Sequence, residues 1–170
     1  MRWKQKSFQQ LTTTELYAII QARMDVFVVE QQSMYQDLDG IDLHATHLFL
    51  SDEDGSVQAY ARFISSGILY REASIGRILT RKESRGKGLS HLLMQQAMTF
   101  LLEEQKETAI RLQAEYYIRA LYEQYGFIQV SEIFIEDGIE HVYMVLKDVH
   151  AYHKMKRSVE SGKDTTTKMF

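Results

Sequence analysis

The chain of 170 residues contains no cysteine and no proline. Without cysteine it can form no disulfide, hold no metal through thiolates and use no cysteine nucleophile, a composition that suits a reducing cytoplasm. Without proline, its turns depend on glycine, aspartate and serine. No apolar run approaches the roughly 18 residues of a membrane helix, and residues 1–10 lack the apolar core of a signal peptide. We therefore expect a soluble, cytoplasmic protein that binds no membrane.

The charge balance provides no general attraction for nucleic acids. Lys and Arg number 20 against 23 Asp and Glu, which gives a net charge of −3. Basic residues gather in the segment 81–87 and again in the tail at Lys154, Lys156 and Arg157, and the charge cluster is small and not interleaved with aromatic residues. Nucleic acid is therefore not an expected partner.

Hydrophobic periodicity predicts seven strands interrupted by helices. The predicted strands are Trp3–Phe8, His47–Leu50, Val57–Ile64, Ser74–Thr80, Ala109–Ala114, Phe127–Ile135 and His141–Leu146. Three helices are predicted. The first begins at a Thr N-cap and runs to about Val29, the second begins after Gly88, and the third covers Tyr116–Tyr125. This order indicates an α+β fold with a mixed sheet. We expect a single domain over residues 1–148 and a polar C-terminal extension over residues 149–170, frayed or partly helical.

The segment most suggestive of chemistry is Arg85-Gly86-Lys87-Gly88, which follows a predicted strand and precedes an amphipathic helix. Glycines let consecutive backbone N–H groups point at one anion, and a helix N-terminus adds partial positive charge. Arg81 and Lys82 add further cations. Two glycines alone more often shape an ordinary turn, but the order of strand, basic loop and helix favours a pyrophosphate site. Neither the Walker nor the dinucleotide-binding glycine pattern is present.

This strand–loop–helix resembles that of the GNAT N-acetyltransferases, which hold the pyrophosphate of acetyl-CoA. Gly86 and Gly88 match the two small residues of the family pattern, whereas Glu83 stands where the family has glutamine or arginine. The segment Ala120–Phe127 is similar to the second family motif, a tyrosine-containing helix followed by Gly-Phe. More narrowly, several fragments look like the ElaA-like branch of the family: Phe27–Gln31, Asp39–Asp42, His47 and Glu136–His141.

The resemblance implies a mostly antiparallel twisted sheet flanked by helices, and an acyltransferase that moves an acetyl group from acetyl-CoA directly to an amine in a ternary complex. It implies no metal cofactor. The acceptor would be a small-molecule or peptide amine. Family members often form homodimers, and Phe134 and Ile135 on an exposed strand are candidate dimer contacts. The expected acetyl-CoA contacts are Ile78, Leu79 and Thr80 through their backbone, and Arg85, Gly86, Lys87, Gly88, Leu89 and Ser90.

Tyr122 occupies the position that serves as general acid in the family. The identity of the general base stays open among Glu30, Glu115 and His141, although the resemblance to the ElaA-like branch favours Glu30 and His141. Each could equally be a structural or surface residue, and a chain of water molecules could replace any of them.

Oxygen and nitrogen side chains also gather at Asp39, Asp42, His44 and His47. Their spacing matches no common zinc or calcium pattern, so we interpret this segment as an acidic loop facing a cationic substrate.

Two alternative functions remain. The first is a non-catalytic module that binds acyl-CoA, which Glu83 favours and Tyr122 opposes. The second is an acyltransferase of the acyl-homoserine-lactone synthase type, to which the fragment Arg23–Phe27 bears a weak similarity.

Overall fold

A computed structural model describes Met1–Lys147 together with Val149 and Tyr152. The chain divides into two compact units, Met1–Leu112 and Gln113–Phe170. Apart from Val149 and Tyr152, the polar extension expected over residues 149–170 lies outside the described residues.

The first unit is built on a mixed, mostly antiparallel sheet. Its strands are β1 (Arg2–Ser7), β2 (Thr46–Ser51), β3 (Val57–Ile64), β4 (Ala73–Thr80) and β5 (Ile110–Glu115), the last of which crosses the boundary between the units. β1 to β4 pair in chain order and antiparallel, whereas β4 and β5 are parallel. This sheet agrees with the predicted fold class.

Two helices accompany this sheet, and each continues as a π-helical turn. Helix α1 (Thr13–Arg23) leads into Met24–Glu30, and helix α2 (Leu89–Met98) leads into Thr99–Glu104. The predicted N-cap of α1 is confirmed: Thr12 Oγ1 accepts a hydrogen bond from the Glu15 N–H (3.1 Å), and Glu15 Oε2 accepts one from the Thr12 N–H (3.0 Å). Over the described residues, no helix combines the length and apolarity required to cross a bilayer.

Helices α1 and α2 cover opposite faces of the sheet. Phe49 of β2 pairs with Tyr60 of β3, and both pack in one buried cluster with residues of α1. Their neighbours Leu50 and Ala59 also pair, but these pack with Leu89 of α2. Because successive side chains of a strand point to opposite faces, the two helices lie on either side of the sheet.

The second unit contains helix α3 (Arg119–Glu123) and strands β6 (Ile128–Gln129), β7 (Phe134–Glu136) and β8 (Ile139–Leu146). β8 pairs antiparallel with both β6 and β7. The single strand predicted over Phe127–Ile135 was wrong in extent, because it is interrupted between β6 and β7. At the interruption Ser131 Oγ accepts the hydrogen bond of the Tyr143 N–H (2.9 Å), which replaces a backbone acceptor.

Candidate active site

Strand β4 leads through a short 3₁₀ turn, Lys82–Ser84, into the phosphate loop, which we define as Arg85–Gly88. Gly86 and Gly88 have φ values of 74° and 73°, in the left-handed region that glycine adopts without steric penalty. The first hydrogen bond into α2 runs from the Leu92 N–H to the Gly88 carbonyl (3.2 Å). The phosphate loop therefore ends directly at a helix N-terminus.

The backbone of the phosphate loop has donors to offer. Gly86, Lys87 and Gly88 are exposed, and Arg85 and Gly86 form the centre of a hydrogen-bonded turn. Backbone N–H groups of an exposed glycine-containing loop ahead of a helix form a site for anions, and the helix dipole adds to the attraction. This arrangement suits a phosphate or pyrophosphate group.

The turn that precedes the phosphate loop is anchored to β3 through Gln58. The Gln58 carbonyl accepts a hydrogen bond from the Arg81 N–H (2.9 Å). Its side-chain oxygen Oε1 accepts another from the buried Ser84 Oγ (2.7 Å). These contacts hold the turn against β3 at the point where the chain enters the phosphate loop.

The arginines near the phosphate loop are engaged by carboxylates of the π-helical turn Met24–Glu30. Arg85 donates from Nη1 and Nη2 to the Glu30 carboxylate (2.5 and 2.9 Å) and from Nε to the Thr80 carbonyl (3.0 Å). Arg81 forms an ion pair with Asp25. Lys87, by contrast, has an exposed side chain with no ion pair to the described residues. Lys87 is thus better placed than Arg81 or Arg85 to contact a phosphate group.

Glu30, one of the base candidates, ends the π-helical turn. Its hydrogen bond with Arg85 lowers the pKa of the Glu30 carboxyl below its ordinary value. A carboxylate held in this way is a weaker proton acceptor near neutral pH than an unpaired one.

Strand β4 carries a bulge within the segment named for backbone contacts. The pairing of β4 with β3 changes register between Tyr60 and Arg62 of β3. On β4, Arg77 lies opposite this point and has a φ of 53°. The parallel pairing of β4 covers Ala73–Ile75, and Gly76–Thr80 lie beyond its last pair. This stretch contains Ile78, Leu79 and Thr80, and Thr80 Oγ1 also lies 3.2 Å from Ser90 Oγ at the start of α2.

A group of ionic side chains that the sequence did not reveal lies in the same unit. This ion cluster joins three arginines and three aspartates from separate segments: Arg23, Arg62, Arg77, Asp37, Asp39 and Asp42. Its centre is the buried Asp37 carboxylate, which accepts hydrogen bonds from Arg23 Nε and Arg77 Nε, both at 2.8 Å. One sign of the ion cluster was present in the sequence: Arg23 lies among the apolar positions of α1. A charge on a buried helix face requires a partner of opposite charge.

The acidic loop interpretation is wrong for Asp39 and Asp42, because both carboxylates face arginines. Arg62 donates to Asp39 (2.7 Å) and Asp42 (3.0 Å), and Arg23 donates to Asp42 (2.7 Å). Burial alone would raise both pKa values, but the hydrogen bond from Arg62 lowers the pKa of Asp39 to about 2, and that from Arg23 lowers the pKa of Asp42. Neither residue is a free acid for a cationic substrate.

His47 is likewise structural in its contacts. Its ring is fully buried, with Nδ1 at 2.8 Å from Tyr60 Oη and Nε2 at 3.1 Å from the Asp42 carbonyl. Burial lowers the pKa of His47, so the ring is neutral at pH 7. Among the described residues no group of three or more His, Asp or Glu side chains is arranged to hold a metal ion.

In the second unit, Tyr122 lies on α3 and is 4% exposed. Its ring packs edge-on against Phe127, with centroids 6.3 Å apart. Burial, followed by the nearby Glu115 and Tyr117, raises the pKa of the Tyr122 phenol. Its hydroxyl makes no hydrogen bond to the described residues, so a protonated donor remains available at neutral pH.

His141, the other favoured base candidate, lies near the start of β8. Its Nδ1 is 2.9 Å from the Ile139 carbonyl, and its ring stacks on Phe134 at 6.0 Å. A carbonyl can only accept, so Nδ1 carries the proton, and Nε2 of the neutral ring keeps its lone pair. Glu115, the third candidate, ends β5 and is partly buried. Ile135, a candidate dimer contact, is exposed.

The fold and the phosphate loop define a class of acyltransferase. The family profile described as "Acetyltransferase (GNAT) domain" matches residues 10–148. The chain belongs to the GNAT acetyltransferase family and is an N-acyltransferase.

Individual relatives confirm the predicted likeness to the ElaA-like branch. Protein ElaA of Escherichia coli is 32% identical over 152 residues, which are 89% of this chain and 99% of ElaA. Its crystal structure superposes with a TM-score of 0.79 over 85% of this chain and 99% of that one. An acyl-CoA N-acyltransferase from Pseudomonas aeruginosa gives a TM-score of 0.81 at 37% identity, over 85% of this chain and 97% of that one. A UPF0039 protein of Schizosaccharomyces pombe is 38% identical over 84% of this chain and 94% of its own length.

Proposed function

We propose that this protein transfers an acetyl group from acetyl-CoA directly to the nitrogen of a small-molecule or peptide amine. The observation that carries the proposal is the phosphate loop, an exposed turn with two left-handed glycines directly before the N-terminus of α2. The left-handed Gly86 and Gly88 allow this backbone path. Membership in the GNAT family and the likeness to an acyl-CoA N-acyltransferase agree with it.

Acetyl-CoA would be held mainly by main-chain groups. The pyrophosphate would accept hydrogen bonds from the N–H groups of Gly86, Lys87 and Gly88 and from those of Leu89 and Ser90 at the helix start. Lys87 would add a side-chain cation, while Arg85 contributes through its contact with the Thr80 carbonyl. The β4 backbone over Ile78–Thr80 would meet the pantetheine and the thioester, where an N–H polarises the carbonyl oxygen.

In the transfer itself, the amine nitrogen attacks the thioester carbon, a C–N bond forms and the C–S bond breaks. The amine gives up one proton to the general base, and the departing sulfur takes a proton from the Tyr122 hydroxyl. Burial raises the pKa of the Tyr122 phenol, so the hydroxyl holds its proton at neutral pH until the sulfur departs. The same burial makes the phenol a weaker acid, so the support for Tyr122 as the donor is its place in the family motif.

For the base we favour His141 over Glu30. The Nε2 lone pair of His141 is free of hydrogen bonds to the described residues when Nδ1 donates to the Ile139 carbonyl. Glu30 is paired with Arg85, and its lowered pKa makes it a poor acceptor. We propose that Glu30 instead orients Arg85 beside the phosphate loop.

This division of roles predicts the pH dependence of a Glu30→Gln variant. Because the pKa of Glu30 is lowered from an ordinary value of about 4.3, its carboxylate is charged throughout the range of about pH 5.5 to 9. Replacement should leave the shape of the kcat/KM profile between about pH 5.5 and 9 unchanged. A fall in kcat of about 10²-fold or more at every pH of this range would instead identify Glu30 as the base.

The activity is tested by thiol release from acetyl-CoA in the presence of a panel of amines, including polyamines, amino acids and peptides with a free N-terminus. We expect at least one amine to release CoA faster than water does. Varying both substrates should give intersecting reciprocal plots, since direct transfer requires a ternary complex. Parallel plots would indicate an acyl-enzyme and contradict direct transfer. Binding of acetyl-CoA without release by any amine would favour the non-catalytic binding module.

A further inference from the structure

The bulge of β4 depends on an unfavourable backbone conformation. Arg77, with a φ of 53°, is one of four described residues other than glycine in the left-handed region. A side chain in this conformation costs free energy that glycine would not, so the surrounding contacts must favour it. Arg77 is only partly buried, which means that close packing alone does not hold it there.

The Arg77 side chain supplies those contacts. Its Nε donates to Asp37 Oδ1 (2.8 Å), and its Nη2 lies 3.3 Å from both the Asp37 carbonyl and Asp39 Oδ2. Its guanidinium also stacks over the Tyr35 ring at 5.3 Å. Asp37 is itself fixed, because it is buried and also bonded to Arg23 and to the Tyr35 hydroxyl. Arg77 is thereby tied to a rigid part of the ion cluster.

The backbone that Arg77 controls is the stretch assigned to the thioester. Gly76–Thr80 lie beyond the last parallel pair of β4, and the bulge sets the direction of their N–H groups. On the basis of the proposed function, we infer that Arg77 is a positioning residue. Its hydrogen bonds to Asp37 hold the β4 bulge so that an N–H of this stretch points at the thioester oxygen. Arg77 does not contact the reacting atoms itself.

Arg77→Gly distinguishes the effect of the side-chain contacts from that of the backbone conformation, because glycine adopts a φ of 53° without strain. This variant keeps access to the bulge but loses the tie to Asp37. Lys106→Gly is the matched control, since Lys106 is also a cation in the left-handed region (φ 59°), is exposed and forms no ion pair with the described residues. Arg77→Lys retains the charge without the forked contact.

The direct measurement is the ¹³C chemical shift of acetyl-CoA labelled at its carbonyl carbon and bound to each protein. A hydrogen bond to the oxygen polarises the carbonyl, so the bound resonance in the wild-type protein should differ from that of the free ligand. In Arg77→Gly it should move back towards the free value, with a smaller movement in Arg77→Lys and none in Lys106→Gly. The kcat with a responsive amine should fall about tenfold in Arg77→Gly, while the CoA affinity stays close to that of the wild type.

The outcomes are distinct. If acetyl-CoA bound to Arg77→Gly has the same carbonyl ¹³C shift as acetyl-CoA bound to the wild-type protein, the positioning role is overturned and the proposed function stands. If Arg77→Gly does not fold, a carbonyl ¹³C shift in Arg77→Lys equal to that in the wild-type complex would overturn the positioning role in the same way. Absence of any acetyl-CoA binding by the wild-type protein would overturn the proposed function and this inference together.

Discussion

Replacement of Tyr122 by phenylalanine should lower kcat about 10²-fold, the usual scale for one acid–base group, with little change in the affinity for acetyl-CoA. The substitution removes one oxygen from a ring that is 4% exposed and packs edge-on against Phe127. The ring and its packing remain, so the fold should be retained. What is lost is the proton for the leaving sulfur.

The comparison requires steady-state kinetics at saturating acetyl-CoA and a thermal unfolding curve for each protein. Tyr17→Phe is a suitable control, because Tyr17 is 71% exposed on α1 and the same oxygen is removed. A kcat in Tyr122→Phe equal to that of the wild type would exclude Tyr122 as the acid. A lower kcat accompanied by an unfolded protein would point to packing instead.

Substitution of Gly86 by glutamate should weaken acetyl-CoA binding by about 10²-fold or more. A Cβ at this position meets no atom within 4 Å, so the protein itself offers room for the side chain. The φ of 74° nevertheless costs a residue with a side chain about 1–2 kcal/mol, which favours a different path for the loop. The added carboxylate also repels the pyrophosphate at close range.

Gly55→Glu provides the matched control for this substitution. Gly55 lies in the turn between β2 and β3, has a φ of 90° and likewise has nothing within 4 Å of an added Cβ. It therefore imposes the same backbone strain and the same charge away from the phosphate loop. Equal loss of affinity in both variants would show that the effect of Gly86→Glu is not local.

Local pattern was enough to predict much of the fold. Strand β3 has the predicted bounds, Val57–Ile64, because an apolar run followed a hairpin turn signal. The N-cap of α1 was predictable because threonines precede the apolar periodicity and Glu15 follows in the first turn, and the structure adds the reciprocal bonds between Thr12 and Glu15. The phosphate loop was predictable for a similar reason, since left-handed φ values and glycine go together.

Contacts between distant residues could not be predicted in this way. Asp37 meets Arg23 and Arg77, which are 14 and 40 positions away in the chain, and no local periodicity encodes such pairs. The acidic segment was therefore interpreted as a substrate surface, although Asp39 and Asp42 neutralise buried arginines. The pairing of Arg85 with Glu30 was hidden for the same reason, at a separation of 55 positions.

The β4 bulge and the interruption after β6 illustrate a second limit. At both places a side chain bonds to a distant part of the chain: Arg77 to Asp37, and Ser131 to the Tyr143 N–H. Alternating apolar residues predict a regular strand through such positions, because the pattern reports burial and not the hydrogen bonds of the backbone. Irregular strand geometry therefore has to be observed.

The most direct measurement is a calorimetric titration of acetyl-CoA and of CoA into the wild-type protein, repeated with Gly86→Glu. We predict saturable binding of both ligands to the wild-type protein below about 1 mM, in the range usual for enzyme substrates, and a loss of that binding in the variant. Similar affinities for acetyl-CoA and CoA would agree with a site that recognises mainly the pyrophosphate. No binding by the wild-type protein at millimolar ligand would contradict an acyl-CoA-dependent function, and equal binding by both proteins would contradict its location at the phosphate loop.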